Sequence, residues 1–244
     1  MLSDHYLTQL KKNWNELATK DALWSILPDP KKKNNKWQLE EFFRTGEKEA
    51  LNVLKELEFL GLEINHGRCL DFGCGVGRLT QPFGKFFQES IGIDISEKMI
   101  EFAKSYNSRI NCHFFVSDDK NLGLFPHNHF DFIYSNITFQ HIHPAYALIY
   151  IKSCFKKLTI GGVMAFQVIT GHSKEYNFLK NNFPSLLKGF RLIKNIAHKD
   201  LSEKIEIYFI KSENIEEIAG QEKSKVIKRI DKKIGKVISS KFFV

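Results

Sequence analysis

The stretch LDFGCGVGRLT, residues 70–80, sets Asp71 ahead of glycines at alternate positions, Gly73, Gly75 and Gly77. It continues a short apolar run, RCLDF, that reads as a strand, so the glycines stand at a strand's carboxyl end. Glycine takes positive φ without steric cost and lets a ligand lie against bare backbone. In an open parallel sheet, ligands bind beyond the carboxyl ends of the strands, where the strand order reverses. Two nucleotide-binding loops can be tested on the letters alone. The dinucleotide fingerprint G-x-G-x-x-G fails from either start, because its third glycine falls on Arg78 or Thr80. No G-x-x-x-x-G-K-[ST] occurs, which removes a P-loop.

Outward from this loop, strand and helix patterns alternate. TQPFGKFF reads as a helix, SIGIDI (90–95) as a second strand, and SEKMIEFAKSY as a helix with Ser96 as N-cap. NCHFFVS (111–117) and HFDFIYSN (129–136) are the third and fourth strands. AYALIYIKSCFKKLT is a helix, and GGVMAFQVIT (161–170) is a fifth strand opened by a Gly-Gly turn. Such alternation with short connections implies an α/β fold with a mainly parallel sheet covered on both faces. Before the loop, Leu7, Leu10, Trp14 and Leu17 recur at helical spacing. So do Ala50, Val53, Leu54, Leu57 and Leu60, with Gly61 as a stop and LPDP (27–30) as the break between the two helices. The stretch 171–211, with His172, Pro184 and Gly189, interrupts the rhythm and is read as a helical insertion or lid. SENIEEIAG (212–220) is a short helix with Ser212 as N-cap and Gly220 at its end. KSKVIKRIDKKIGK (223–236) fits a strand pair with a solvated face or a basic helix, and the β-rich VISSKFFV that follows favours strands.

Composition bounds the class. The 244 residues, 43% hydrophobic and 26% charged, suffice for one large globular domain. No apolar run reaches membrane-spanning length and the N-terminus lacks the parts of a signal peptide, so a cytoplasmic location is expected. Cys69, Cys74, Cys112 and Cys154 are scattered without a C-x-x-C pair, which argues against zinc and disulfides and suits a reducing compartment. The net charge of +8 comes mostly from Lys rather than from Arg, the bidentate reader of phosphate and guanine. We read it as compositional bias. A nucleic-acid partner is disfavoured but left open.

Asp71 with the three glycines resembles the first motif of the class I S-adenosylmethionine-dependent methyltransferases. Other features of that family fall in place. Asp94, in GIDIS, lies about 20 residues beyond the loop, where a carboxylate reads the ribose diol. The resemblance sets Asp118, in VSDDKNL, at the adenine amino group, and Asp119 beside it with its backbone N–H. FDFIYS (130–135) resembles the fourth-strand motif, which places Ser135 by the methionine part of the cofactor. KKLTIGG resembles the turn before the fifth strand, with Ile160 where proline is common. Ile95 and Met99 join the cofactor-binding set as apolar neighbours, and Thr45 and Gly46 are weighed as an outer wall. The resemblance covers 67–170 most strongly and implies a Rossmann-like, doubly wound seven-stranded sheet, mostly parallel, with an antiparallel last hairpin. The expected organisation is an N-terminal helical cap (1–66), the S-adenosylmethionine-binding core (67–170), an insertion or lid (171–211) and a C-terminal helix and β-hairpin completing the sheet (212–244).

The sulfonium methyl arrives activated, so the enzyme's work is positioning and exclusion of water. A hydroxyl acceptor also calls for a base. His141 and His143 follow the fourth strand in SNITFQHIHP, two residues apart, so one of them is expected to face the site; His141 is the candidate base. A packing or helix-capping histidine is the competing reading. No H-E-x-x-H or other metal spacing occurs. The segment after the fourth strand, Ser135-Asn136-Ile137-Thr138, lacks the [DNS]-P-P-[YFW] of adenine amino-methyltransferases, and there is no Pro-Cys nucleophile. The expected acceptor is therefore a small molecule methylated on O or N. Tyr176, Phe178, Phe183 and Phe190 are candidate linings of its cavity. Two alternatives remain: an RNA or protein methyltransferase docking through a Lys-rich face, or a non-catalytic cofactor-binding partner subunit. Oligomeric state is not legible.

Overall fold

The structure, a computed structural model, describes residues 4–174 and 205–244. Among these, seven strands form one sheet: β1 (Arg68–Phe72), β2 (Glu89–Asp94), β3 (Cys112–Val116), β4 (Phe130–Ser135), β5 (Leu158–His172), β6 (Lys228–Ile234) and β7 (Val237–Phe243). Their order is β3-β2-β1-β4-β5-β7-β6. β1 to β5 run parallel, while β7 is antiparallel to β5 and to β6. From β1 the chain winds outward through β2 to β3, then crosses back to β4 on the other side of β1. The order therefore reverses between β1 and β4, above the glycine loop.

Strand alternation builds two cores, one on each face. Leu70, Phe72, Ile91, Ile133, Met164 and Phe166 point into the core closed by α5 (Pro144–Lys157) and α6 (Ser212–Gln221). Cys69, Phe132, Tyr134, Val163 and Ala165 point the other way, against Ala50, Val53 and Leu57 of α2 (Leu39–Phe59) and Phe83 of the short α3 (Thr80–Phe83). α4 (Glu97–Tyr106) packs Ile100 and Ala103 on Phe114 of β3. α1 (Asp4–Ile26) touches α4 and closes a further cluster in which its Ala18 and Ala22 meet Phe42, Val76 and Met99. Its helix is broken at Asp21 (φ −163°, ψ 83°), whose carboxylate accepts the N–H groups of Trp24 (3.2 Å) and Asn35 (2.7 Å). No helix of the described residues is long and apolar enough to cross a membrane.

The expected helix in TQPFGKFF is only four residues long. β5 extends beyond the expected 161–170 at both ends, and His172, expected in irregular chain, pairs with Val237. Gly161 (φ +80°) sits inside β5, where the pairing with β4 changes register. α6 starts on Ser212, with Lys211 in the cap position and no side-chain cap, and Gly220 lies within the helix rather than ending it. Ser96 does cap α4, its Oγ accepting the Met99 N–H at 3.1 Å. Most of 171–211, including Tyr176, Phe178, Phe183 and Phe190, lies outside the described residues.

Candidate active site at the strand-order reversal

A cavity with about 90 Å³ of enclosed space, partly open to solvent, lies beyond the carboxyl ends of β1, β2 and β4. Gly73 and Gly75 line one side. The N–H groups of Gly73 and Cys74 both donate to the Ile93 carbonyl (2.8 and 2.9 Å), which pins the loop to β2. Gly73 has φ +76°, and a Cβ there would fall 2.2 Å from Thr138 Cγ2, so only glycine fits. Asp94 lines the cavity at the end of β2. Its Oδ2 accepts the Gly75 N–H at 3.0 Å and its Oδ1 accepts the Ser96 N–H at 2.8 Å, so the carboxylate and the loop hold each other. Each oxygen keeps a further lone pair for a ligand hydroxyl. Burial pushes this carboxyl above the usual range, against the pull of those N–H groups. Ile95 and Met99 give the wall beside Asp94 its apolar character, and Met99 serves the core behind it as well.

Five expected site residues are not on the cavity wall. Asp71 is buried beneath the loop, where Oδ2 accepts the Thr80 hydroxyl at 2.6 Å; burial pushes its carboxyl up to about 7. It shapes the loop from below. Gly77 turns its α-carbon to the opposite side, where a Cβ would meet the Phe114 ring at 2.8 Å. Ser135 is buried and donates to the Phe72 carbonyl at 3.0 Å, joining β4 to β1. Asp118 is exposed and turned to Lys11 Nζ (3.7 Å), because α1 brings that cation to the outer edge of β3. Asp119 folds its carboxylate onto the N–H groups of Asn121 (2.9 Å) and Gly123 (2.7 Å), the turn-forming use of an aspartate. Gly46 likewise faces the back of the loop. A Cβ there would lie 2.0 Å from the Arg78 carbonyl oxygen, and the neighbouring Thr45 hydroxyl accepts from Arg78 Nη1 at 3.3 Å.

Other residues take their places. Ser117, one position before Asp118, lines the cavity, and its Oγ is buried with no hydrogen-bond partner. A buried orphan hydroxyl on a cavity wall is available to a ligand or to a water. Asn136, Ile137 and Thr138 line the side after β4. Ile137 has φ +63°, a strained conformation for a β-branched residue, and its N–H is held by Gln167 Oε1 at 3.1 Å. Asn136 Nδ2 donates to Glu49 Oε1 (2.5 Å), which also accepts the Tyr134 hydroxyl (3.0 Å); Glu49 Oε2 takes Arg78 Nη2 (2.7 Å). One carboxylate of α2 thus ties the glycine loop to the segment after β4. From α1, Leu10, Trp14, Ser25 and Ile26 close the remaining side. Only the strand-end position of 136–138 signals any of this in the sequence.

Of the two histidines, His141 lines the cavity. His143 caps α5, its Nδ1 accepting the Ala145 N–H at 3.3 Å. His141 Nδ1 lies 2.7 Å from the Glu206 carbonyl oxygen, which can only accept, so Nδ1 carries the proton. Nε2 then holds the lone pair and receives the Gln140 side-chain N–H at 3.1 Å. Burial lowers the affinity of this imidazole for a second proton, only partly opposed by the bond to Glu206. It is a neutral ring with a defined tautomer.

A family profile described as methyltransferase domain matches residues 69–162. The chain is 32% identical over 124 residues to malonyl-[acyl-carrier protein] O-methyltransferase of Bacillus cereus, covering 50% of this chain and 43% of that protein. It is 37% identical over 124 residues to phosphoethanolamine N-methyltransferase 1 of Arabidopsis thaliana, covering 50% of this chain and 24% of that protein. The chain thus spans less than half the length of these curated relatives. Among solved structures, magnesium protoporphyrin IX methyltransferase from Synechocystis with bound S-adenosylhomocysteine superposes with a TM-score of 0.65 at 17% identity, covering 97% of both chains, which is a likeness of fold. Over residues 69–162 the chain matches a methyltransferase domain, and its glycine motif and strand order make this core similar to the class I S-adenosylmethionine-dependent methyltransferases.

Proposed function

We propose that the protein transfers a methyl group from S-adenosylmethionine to an oxygen or nitrogen atom of a small molecule, in a reducing cytoplasm suited to its four buried free thiols. One observation carries the reading: Gly73, Gly75, Asp94, Ile95, Met99 and His141 surround a single cavity at the strand-order reversal. The cavity fits the cofactor in kind. Bare glycine backbone, a carboxylate with free lone pairs, an apolar wall and the orphan Ser117 hydroxyl match an amino acid chain, a ribose diol and a purine with a polar edge. Bound there, S-adenosylmethionine supplies an already activated methyl.

In this reading Gly73 and Gly75 admit the cofactor against the backbone, and Asp94 holds the ribose hydroxyls. Ile95 and Met99 pack on the base, and Ser117 rather than Asp118 meets its edge. The neighbouring Asn136, held by Glu49, borders the methionine end. α1 keeps water out. His141 Nε2 is the atom that would take an acceptor's proton once Gln140 releases it.

The test is calorimetric titration with S-adenosylmethionine and S-adenosylhomocysteine. Both should bind the wild type. Asp94→Ala should weaken them by about 10- to 150-fold, the loss of hydrogen bonds to a charged group. A folded wild type that binds neither ligand would refute the reading.

A further inference from the structure

A second cavity, with about 160 Å³ of enclosed space, adjoins the first and shares Leu10, Trp14 and His141 with it. These three residues line both spaces. Beyond them, the wall is made by α1 and by the chain at 205–206. The only formal charge among its described lining residues is the carboxylate of Glu206, in a protein whose net charge is +8. The neutral His141 adds no positive charge to it. Gln9 spends its amide N–H on Asn13 Oδ1 (2.8 Å), which leaves its own carbonyl oxygen as an acceptor beside Glu206. Trp14 offers an aromatic surface, the side-chain type that best attracts a cation. The Glu206 carboxylate also accepts the Tyr208 hydroxyl. The hydroxyls of Tyr6 and Tyr208 are both held above their usual pKa, first by burial and further by the Glu206 carboxylate.

We propose that this outer cavity is the acceptor site and that it selects a small molecule bearing an ammonium group, seated between Glu206, Gln9 and Trp14. The proposal rests on the methyltransferase reading above and names the substrate class of that site. An anionic acceptor entering here would face the Glu206 carboxylate with no cation among the described lining residues, whereas a cation replaces part of its lost hydration with Glu206 and an aromatic ring.

The test separates the two claims. The full chain is first saturated with S-adenosylhomocysteine, and then benzylamine, benzyl alcohol and benzoate are titrated in. These probes match in shape and differ in charge. Benzylamine should bind tightest and benzoate weakest. Glu206→Gln, which keeps an acceptor for the Tyr208 hydroxyl, should weaken benzylamine by about three- to tenfold and leave S-adenosylhomocysteine affinity unchanged. Glu206→Lys should invert the order of benzylamine and benzoate. Normal S-adenosylhomocysteine binding with no bound benzylamine, with benzoate preferred, or with benzylamine affinity indifferent to Glu206→Gln would overturn the proposal and leave the methyltransferase reading standing. Loss of S-adenosylhomocysteine binding in the wild type would bring down both.

Discussion

Gly73 and Gly77 belong to one motif and do different work. Gly73 faces the cavity and the Thr138 methyl, whereas Gly77 (φ +81°) backs onto Phe114. Gly77→Ala should therefore cost stability, about 1–3 kcal/mol from backbone strain and ring displacement, with a smaller effect on cofactor affinity. Gly73→Ala should reverse that weighting. Thermal melts and titration of S-adenosylhomocysteine on both variants separate the two. Asp71 carries a pH signature. Its carboxyl, near 3.9 in the unfolded chain, is held at about 7 by burial, opposed by the Thr80 and Arg78 side chains. The folded state therefore binds the proton more tightly. The stabilisation is complete below about pH 4 and is lost as pH rises to about 7. Asp71→Asn has nothing to titrate, so its Tm relative to wild type should climb between about pH 4 and about pH 7; a constant difference would show that Asp71 does not change charge there. At this scale the motif letters were readable, since their chemistry depends on spacing along one loop. The burial of Asp71, the orphan hydroxyl of Ser117 and the positive φ of Ile137 were not, because each is imposed by chain distant in sequence.

Among the elements, α2 matters most to the site without lining its cavity. Gly46 lets it approach the Arg78 backbone, and Glu49 joins Arg78, Tyr134 and Asn136. The Arg78 side chain is only 6% exposed, so Glu49→Ala strands a buried guanidinium and should cost about 3 kcal/mol. Glu49→Gln, which still accepts hydrogen bonds, should cost less, and urea titration of the two variants measures the difference. β6 is the sheet's edge, exposed along its whole length, and it carries Lys228, Lys232 and Lys233. Charged lysines on an edge strand discourage pairing with another chain, which accounts for part of the basic character without a polyanionic partner. Replacing these three by Thr should shift sedimentation toward larger species as concentration rises; an unchanged profile would leave the lysines without this role. The strand pair at 223–244 was legible from alternation and β-rich residues. The shortness of α3 and the reach of β5 to His172 were not, since they depend on pairing with partners elsewhere in the sheet.

Across the whole molecule, α1 covers one side of the site. Leu10 and Trp14 face the cavity, while Asn15 Oδ1 accepts the Ser96 hydroxyl (2.7 Å) and the Lys98 N–H (3.1 Å), so α1 caps α4 from outside. Lys11 bonds Glu97 at 2.7 Å, and the Tyr6 hydroxyl receives the His143 N–H at 2.6 Å. A cofactor seated beneath this helix should slow amide exchange along residues 4–26 more than along β6. At 100 times Kd it should add about 2.7 kcal/mol to global stability. Exchange mass spectrometry with and without S-adenosylhomocysteine checks both the site and its roof. The sequence by itself determined the alternation of strands and helices, the glycine loop at a strand's carboxyl end and the carboxylate about 20 residues beyond it. These are matters of local periodicity and spacing, which survive without knowledge of any long-range contact. Only the tertiary structure decided that Ser117 and not Asp118 faces the cavity, that His141 and not His143 does, and that Glu49 binds the loop to the strand end. Each of these depends on which side of a strand end or turn a distant helix covers, and on the charge that helix carries.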